Sequence, residues 1–265
     1  MSNFAPPIRR TATSASVVKF TTSAGTPSSA FRIGIYGPEG VGKTSLAALC
    51  PSIQIANVEN SRENPAWSYV RGISVPGDYA ASWENLRAWV RSLDGGVACI
   101  DSMTRAEDWA TAWVIKNKKS NEGTAAADSI EDFKYKAGFT FVIDEFRRFI
   151  GDLDNAYLRG VSLVMVAHNR LAKTKNPDGS DYVRQEPRLI DDMKASNMLQ
   201  WVQFLDHLLF VDLDKNVSKG KAEGSGSRTI YFDTHPSRLT KTRSLPKEPM
   251  EFFEGSTDLW KLLGK

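Results

Sequence analysis

Apolar residues in this chain occur in two patterns: short, nearly continuous runs, and longer stretches where they recur every three or four positions. Phe31–Tyr36, Ile53–Val58, Val97–Ile100 and Val161–Ala167 are runs of strand length, as expected for strands buried on both faces. Ser45–Cys50 reads as a helix after the first run. Ser82 is placed to cap a helix to about Leu93, with Trp83, Leu86, Trp89, Val90 and Leu93 at helical spacing; Asp94-Gly95-Gly96 ends it. Helices are predicted over Thr104–Lys116, over Ile130–Arg159 and near 193–204. Strands at about 207–212 and 228–233 flank a Gly/Ser/Lys-rich loop. Lys118–Asp128 and Asn169–Asp191 read as polar loops. Residues 1–30, rich in Ser, Thr, Ala and Pro, read as a flexible N-terminal arm.

Helices alternating with continuous apolar strands predict an α/β fold, a mostly parallel central sheet covered by helices on both faces. The expected organisation is an arm (1–30), a core (31–250) and a C-terminal tail (251–265). Ligands bind such sheets at the carboxyl ends of the strands. Gly37, Glu59, Asp101 and His168 all fall at those ends.

Composition narrows the classes. A hydrophobic fraction of 41% suffices for a sizeable core, and no apolar run approaches the ~20 residues of a membrane span. The N-terminus lacks the apolar stretch of a signal peptide, so the expected location is cytoplasmic, away from membranes. Cys50 and Cys99 are the only cysteines and form no C-x-x-C pair; buried, reduced thiols are expected. No Cys/His cluster suggests zinc. The net charge is +3, unevenly spread. Residues 1–30 carry Arg9, Arg10 and Lys19 without acids, and residues 215–247 hold eight Lys/Arg against two acids. Such a patch suits nucleic acid and equally suits a solvated surface.

Residues 37–44 read Gly-Pro-Glu-Gly-Val-Gly-Lys-Thr, a complete G-x-x-x-x-G-K-[ST] phosphate-binding loop between a predicted strand and helix. Gly37, Gly40 and Gly42 let backbone N–H groups wrap phosphate oxygens, and Pro38, Glu39, Val41 and Ser45 complete the cradle. Lys43 reaches the β- and γ-phosphates, and the Thr44 hydroxyl ligates Mg2+. A second acid is needed for the metal. Val97–Asp101 and Phe141–Glu145 both end in acids, and periodicity chooses between them. Phe139, Val142, Phe146, Phe149, Ile150, Leu153 and Tyr157 recur at three and four residues, which places Asp144 in a helix. Asp101 is therefore the metal acid. Ser102 stands where many ATPases carry the catalytic Glu, so the base comes from elsewhere. Glu59, closing a second strand expected beside the phosphate-loop strand, is the candidate to activate water, with Glu63 in reserve. His168, ending the fourth strand, is positioned to touch the γ-phosphate.

This ordered set resembles the RecA-type recombinase core, and more closely the phage-encoded ATP-binding proteins that reduce RecA to its core and act in single-strand annealing. The shared features are the Gly-Pro-Glu-x-x-Gly-Lys-Thr loop, Glu59, Ile100-Asp101-Ser102, Ala167-His168, and Lys241-Thr-Arg243-Ser-Leu-Pro246. The resemblance implies a RecA-like P-loop NTPase core that uses ATP and Mg2+. It implies that Lys241 and Arg243 act in trans on a neighbouring subunit's γ-phosphate, and that the loop after His168 contacts single-stranded DNA through Arg170, Lys173, Lys175 and Arg184, with Tyr182 for stacking. That loop also holds Asp178, Asp181 and Glu186, so simple solvation stays open. Phe20-Thr-Thr-Ser23 resembles the Phe-x-x-Ala element that hooks recombinase protomers together, with Ser23 replacing Ala. The implied partners are single-stranded DNA, further copies of the chain in a ring or filament, and a single-strand binding protein; the implied setting is the cytoplasm of a phage-infected bacterium. Two rival readings share the loop: a replicative-helicase-like motor or loader, and a non-DNA NTPase switch or kinase.

Overall fold

The structure is a computed structural model that describes residues 30–118, 127–133, 137–176, 178–192, 195–218 and 221–265, with backbone alone at 195, 215–218 and 221–226. Phe20 lies outside the described residues. Five strands run parallel in the central sheet: β1 (Arg32–Gly37), β2 (Ile53–Asn57), β3 (Val97–Asp101), β4 (Ser162–Lys175) and β8 (His207–Ser218). Their order is β8-β1-β4-β3-β2, extended beyond β8 by the antiparallel β9 (Lys221–Tyr231) and β10 (Met250–Phe252). The expected α/β architecture with a mostly parallel sheet is present. One expectation is corrected: β2 does not flank β1. It lies at the sheet edge beside β3, because β4 and β3 insert between them.

Successive side chains of a strand point to opposite faces, and here both faces are buried. Leu163, Met165 and Ala167 of β4 enter one core with α2 (Tyr79–Ser92), α3 (Met103–Asn117), α4 (Ala137–Leu158) and α5 (Asn197–Phe204). Val164 and Val166 enter the other with α1 (Lys43–Ala48) and α6 (Asp258–Leu262). The four wholly buried tryptophans, Trp83, Trp109, Trp201 and Trp260, divide three to one between these cores. A five-residue helix such as α6 is not stable by itself. Burial of Trp260, worth roughly 2–3 kcal/mol, and its indole N–H bond to the Leu46 carbonyl at 2.9 Å hold it against α1.

Several boundaries differ from the sequence expectation for local reasons. The helix predicted from Ser82 begins at Tyr79 with Asp78 as its cap, accepting from the Ala81 N–H at 3.0 Å. Ser82 is buried, and its hydroxyl accepts from the Val75 N–H. The predicted 130–159 helix is a 3-10 turn at Ile130–Asp132 followed by α4. The helix near 193–204 begins at Asn197, after the two-residue strands β6 (Asp191–Asp192) and β7 (Ala195–Ser196). The largest change concerns 169–191. The expected loop is a β-hairpin, in which β4 continues past His168 to Lys175 and pairs antiparallel with β5 (Asp181–Pro187).

Candidate active site

The sheet topology brings the carboxyl ends of β1, β4, β3 and β2 to one edge, and the candidate residues meet there. After β1 the chain turns at Gly37, where an added Cβ would lie 2.0 Å from the Val211 carbonyl oxygen of β8. It enters α1 through Gly42, whose φ of 87° favours glycine. Lys43 is folded into the loop, its Nζ donating to the Gly37 and Pro38 carbonyls at 2.9 and 2.7 Å. Burial lowers its pKa, with Asp101, Glu39 and Glu59 opposing that shift.

Asp101, at the end of β3, is 4% exposed. Its Oδ2 accepts the Thr44 hydroxyl at 2.6 Å. Burial raises its pKa and Glu59 adds to the rise, while Thr44 and Lys43 offset it. A buried carboxylate beside a hydroxyl at the mouth of a phosphate loop is a hard-oxygen pair that suits Mg2+. The residues therefore fit the metal.

Glu59 follows β2, and its Val58 and Glu59 N–H groups both donate to the Asp101 carbonyl, at 2.7 and 2.9 Å. This ties the base candidate to the metal-acid candidate across β2 and β3. Its Oε1 accepts from the Ser102 hydroxyl and from His168 Nε2, the latter at 3.1 Å. Burial pushes Glu59 upward, but the His168 and Ser102 bonds outweigh it and hold the carboxyl below its ordinary range. With a carboxylate as partner, Nε2 of His168 is the donor. Ser102 also caps α3, accepting from the Arg105 N–H at 3.2 Å, and Thr104 Oγ1 accepts the His168 N–H at 3.0 Å. A cavity of about 350 Å3 is lined by Gly42–Ser45, Glu59, Asp101 and His168 among others.

The model of a known family, described as the AAA domain, matches residues 29–244. The chain belongs to this AAA domain family. No curated protein matches it. Family membership makes it a P-loop ATPase, a class that binds nucleotide generally with Mg2+.

Within this AAA domain the other sequence candidates lie apart. Glu63 is taken by Arg71 at 2.7 Å and does not line the cavity. The hairpin candidates divide between two faces. Arg170 pairs with Glu186 and Asp191 at 3.3 and 2.8 Å, and Arg184 pairs with Glu186 at 2.5 Å. Lys173 and Lys175 are exposed with Leu171 on the opposite face. Asn176-Pro-Asp-Gly179 is a turn sequence, the local signal from which this hairpin was legible. Lys241 and Arg243 lie at the amino end of β8, remote from the phosphate loop of the same chain, since Lys241 bridges Leu208. The Lys241 Nζ donates to the Val202, Gln203 and Leu205 carbonyls at 2.9, 3.2 and 2.5 Å, which closes the C-terminus of α5. Arg243 is 59% exposed and pairs with Asp206 at 3.3 Å.

Sequence reasoning gave no role at the site to two residues that bond to its candidates. Ser102 and Thr104 each hold a catalytic candidate, and the Asp-Ser-x-Thr spelling after β3 was their only signal.

Proposed function

We propose that this protein is an Mg2+-dependent ATPase that oligomerises on single-stranded DNA and acts in phage-type recombination or strand annealing. The observation that supports the hydrolytic part of this reading is the joint bond of Ser102 and His168 to Glu59 beside the Thr44–Asp101 pair, and the DNA and recombination part rests on the resemblance to the RecA-type core. The joint bond puts a poised carboxylate, a metal pair and a phosphate loop around one cavity.

The chemistry follows from these positions. Lys43 exchanges its two carbonyl partners for phosphate oxygens. Thr44 and Asp101 would hold Mg2+, which supplies charge neutralisation at the phosphates. Glu59, kept ionised by His168 and Ser102, orients a water and takes its proton. His168 then shares its Nε2–H between Glu59 and the γ-phosphate. The hairpin begins at the next residue, so a change at His168 is felt at its root, where the Arg188 N–H donates to the His168 carbonyl at 2.8 Å. Lys173 and Lys175, on the exposed face, are the phosphate-contacting cations on this reading. Arg170 and Arg184 position the hairpin through Glu186. Arg243, remote from its own site, serves a neighbouring subunit's site, while Lys241 holds the end of α5 beside it.

The test is ATP hydrolysis with and without single-stranded DNA, with Lys43→Ala as the blank. Hydrolysis that rises with DNA in the parent and vanishes in Lys43→Ala is expected. Hydrolysis indifferent to DNA, with no DNA bound in the ATP state, overturns the DNA role and leaves an NTPase switch or kinase.

A further inference from the structure

The loop that carries Glu59 is closed by a side chain that the chemistry above does not use. Asn57 ends β2, in register with Asp101 of β3. Its amide holds Ser61, four residues on, at three points. Asn57 Nδ2 donates to the Ser61 carbonyl at 2.9 Å, and Asn57 Oδ1 accepts from the Ser61 N–H at 3.1 Å and from the Ser61 hydroxyl at 3.2 Å. The backbone between them turns sharply. The Asn60 N–H donates to the Asn57 carbonyl at 3.3 Å, and Asn60 has a φ of 53°, in the left-handed region that Asn enters more readily than most side chains. Glu59 is thus held twice, by its own N–H on the Asp101 carbonyl and by the Asn57–Ser61 closure around it.

The closure also fixes the polarity of the Ser61 hydroxyl. An amide oxygen only accepts, so Ser61 Oγ is the donor in its bond to Asn57 Oδ1. With its hydrogen committed, Oγ can meet a further group only as an acceptor. Ser61 lines the phosphate cavity together with Glu59 and His168. Ser102 and His168 both bond to Oε1 of Glu59, which leaves Oε2 for water. A water that attacks a γ-phosphate has two hydrogens to place, and the carboxylate takes one of them. A second acceptor in the same cavity sets the direction in which the water's lone pair points.

We infer that Ser61 is that second acceptor, a water-orienting catalytic residue, and that Asn57 is the positioning residue that turns its hydroxyl into an acceptor and holds the Glu59 loop. The water oxygen bonds to the γ-phosphorus as the bond to the β–γ bridging oxygen breaks. One proton passes to Glu59, and the hydrogen facing Ser61 stays on the product phosphate. This rests on the reading of Glu59 as the base.

ATP turnover and equilibrium ATP binding of Ser61→Ala, Ser61→Thr, Asn57→Ala, Glu59→Gln and the Glu59→Gln/Ser61→Ala double variant test it. Ser61→Ala keeps both backbone bonds to Asn57 and loses only the hydroxyl. It is expected to turn over about tenfold more slowly, the worth of one hydrogen bond, with unchanged ATP affinity, which also shows that the variant is folded. Ser61→Thr keeps the hydroxyl and most of the parental turnover. Asn57→Ala releases both Ser61 and Glu59 and is expected to lose about 10²-fold in turnover. In the Glu59→Gln background, Ser61→Ala should cost less than it does alone, because the two side chains act on one water. Parental turnover in Ser61→Ala beside a slow Glu59→Gln overturns the inference and leaves Glu59 as the base. Equal slowing in Ser61→Ala and Ser61→Thr, or a loss in Ser61→Ala confined to ATP affinity, overturns it as well. Parental turnover in Glu59→Gln removes both readings together.

Discussion

At the residue scale, the site turns on one carboxylate with two donors. Ser102 occupies the position after Asp101, the proposed metal acid, and lends its hydroxyl to Glu59, which arrives from the neighbouring strand. This division lets β3 end in Asp-Ser while β2 supplies the proposed base. Glu59→Gln keeps the shape and the hydrogen-bonding oxygen but cannot accept a proton. It is expected to lower the ATP turnover rate by about 10²-fold or more and to leave ATP affinity within about threefold of the parent. Steady-state hydrolysis beside equilibrium binding checks this. Turnover within a few-fold of the parent would assign the base elsewhere.

At the element scale, α3 links the site to the hairpin. Its first turn holds Glu59 through Ser102 and the root of the hairpin through Thr104. One turn on, Glu107 takes the Ile190 N–H on both oxygens, at 2.9 and 3.0 Å, and the Asn197 amide at 2.7 Å. Glu107 thereby fastens the chain returning from β5. Burial lifts its pKa from 4.5 to about 7, with the Asn197 and Ile190 bonds opposing. The folded state thus binds the Glu107 proton more tightly than the unfolded chain. Glu107 therefore contributes full stability below pH about 4.5, and that contribution is lost as pH rises towards 7. At about 1.4 kcal/mol per unit the loss is on the order of 3 kcal/mol. Glu107→Gln, neutral at every pH, is expected to flatten this dependence and to be the more stable protein at pH 8. Urea unfolding of both proteins at pH 5 and pH 8 decides it; identical pH slopes would mean that Glu107 does not titrate in this window.

At the scale of the whole molecule, the parallel sheet sets two working ends. The phosphate loop, Asp101 and Glu59 share the carboxyl end, and Arg243 stands at the amino end beside Asp206. A residue so placed can reach a γ-phosphate only across a head-to-tail contact between copies. Lys241 is the poorer probe of such a contact, because its removal also uncaps α5. Arg243→Ala leaves the fold intact, as its side chain is mostly exposed. Arg243→Ala and Lys43→Ala proteins are each expected to be inactive alone. Mixed in equal amounts they should recover about a quarter of parental activity, since random assembly pairs an intact loop with an intact Arg243 at one contact in four. A fully active Arg243→Ala protein, or no recovery on mixing, would end the trans assignment.

Much of the site was legible in the chain because its signals are local. The phosphate loop is a contiguous motif, Asp101 was separated from Asp144 by periodicity alone, and Glu59 and His168 were placed by where apolar runs stop. The α/β class followed from the same runs. Tertiary structure alone decided what depends on register between distant strands. It set β2 at the sheet edge rather than beside β1, yet still brought Glu59 to Ser102 and His168. It neutralised Arg170 and Arg184 on Glu186 while leaving Lys173 and Lys175 exposed, and it spent the Lys241 ammonium on the end of α5. The physical reason is that a chain pattern reports which face of its own element a residue occupies, whereas the partner of a charge is chosen by which elements the fold sets side by side.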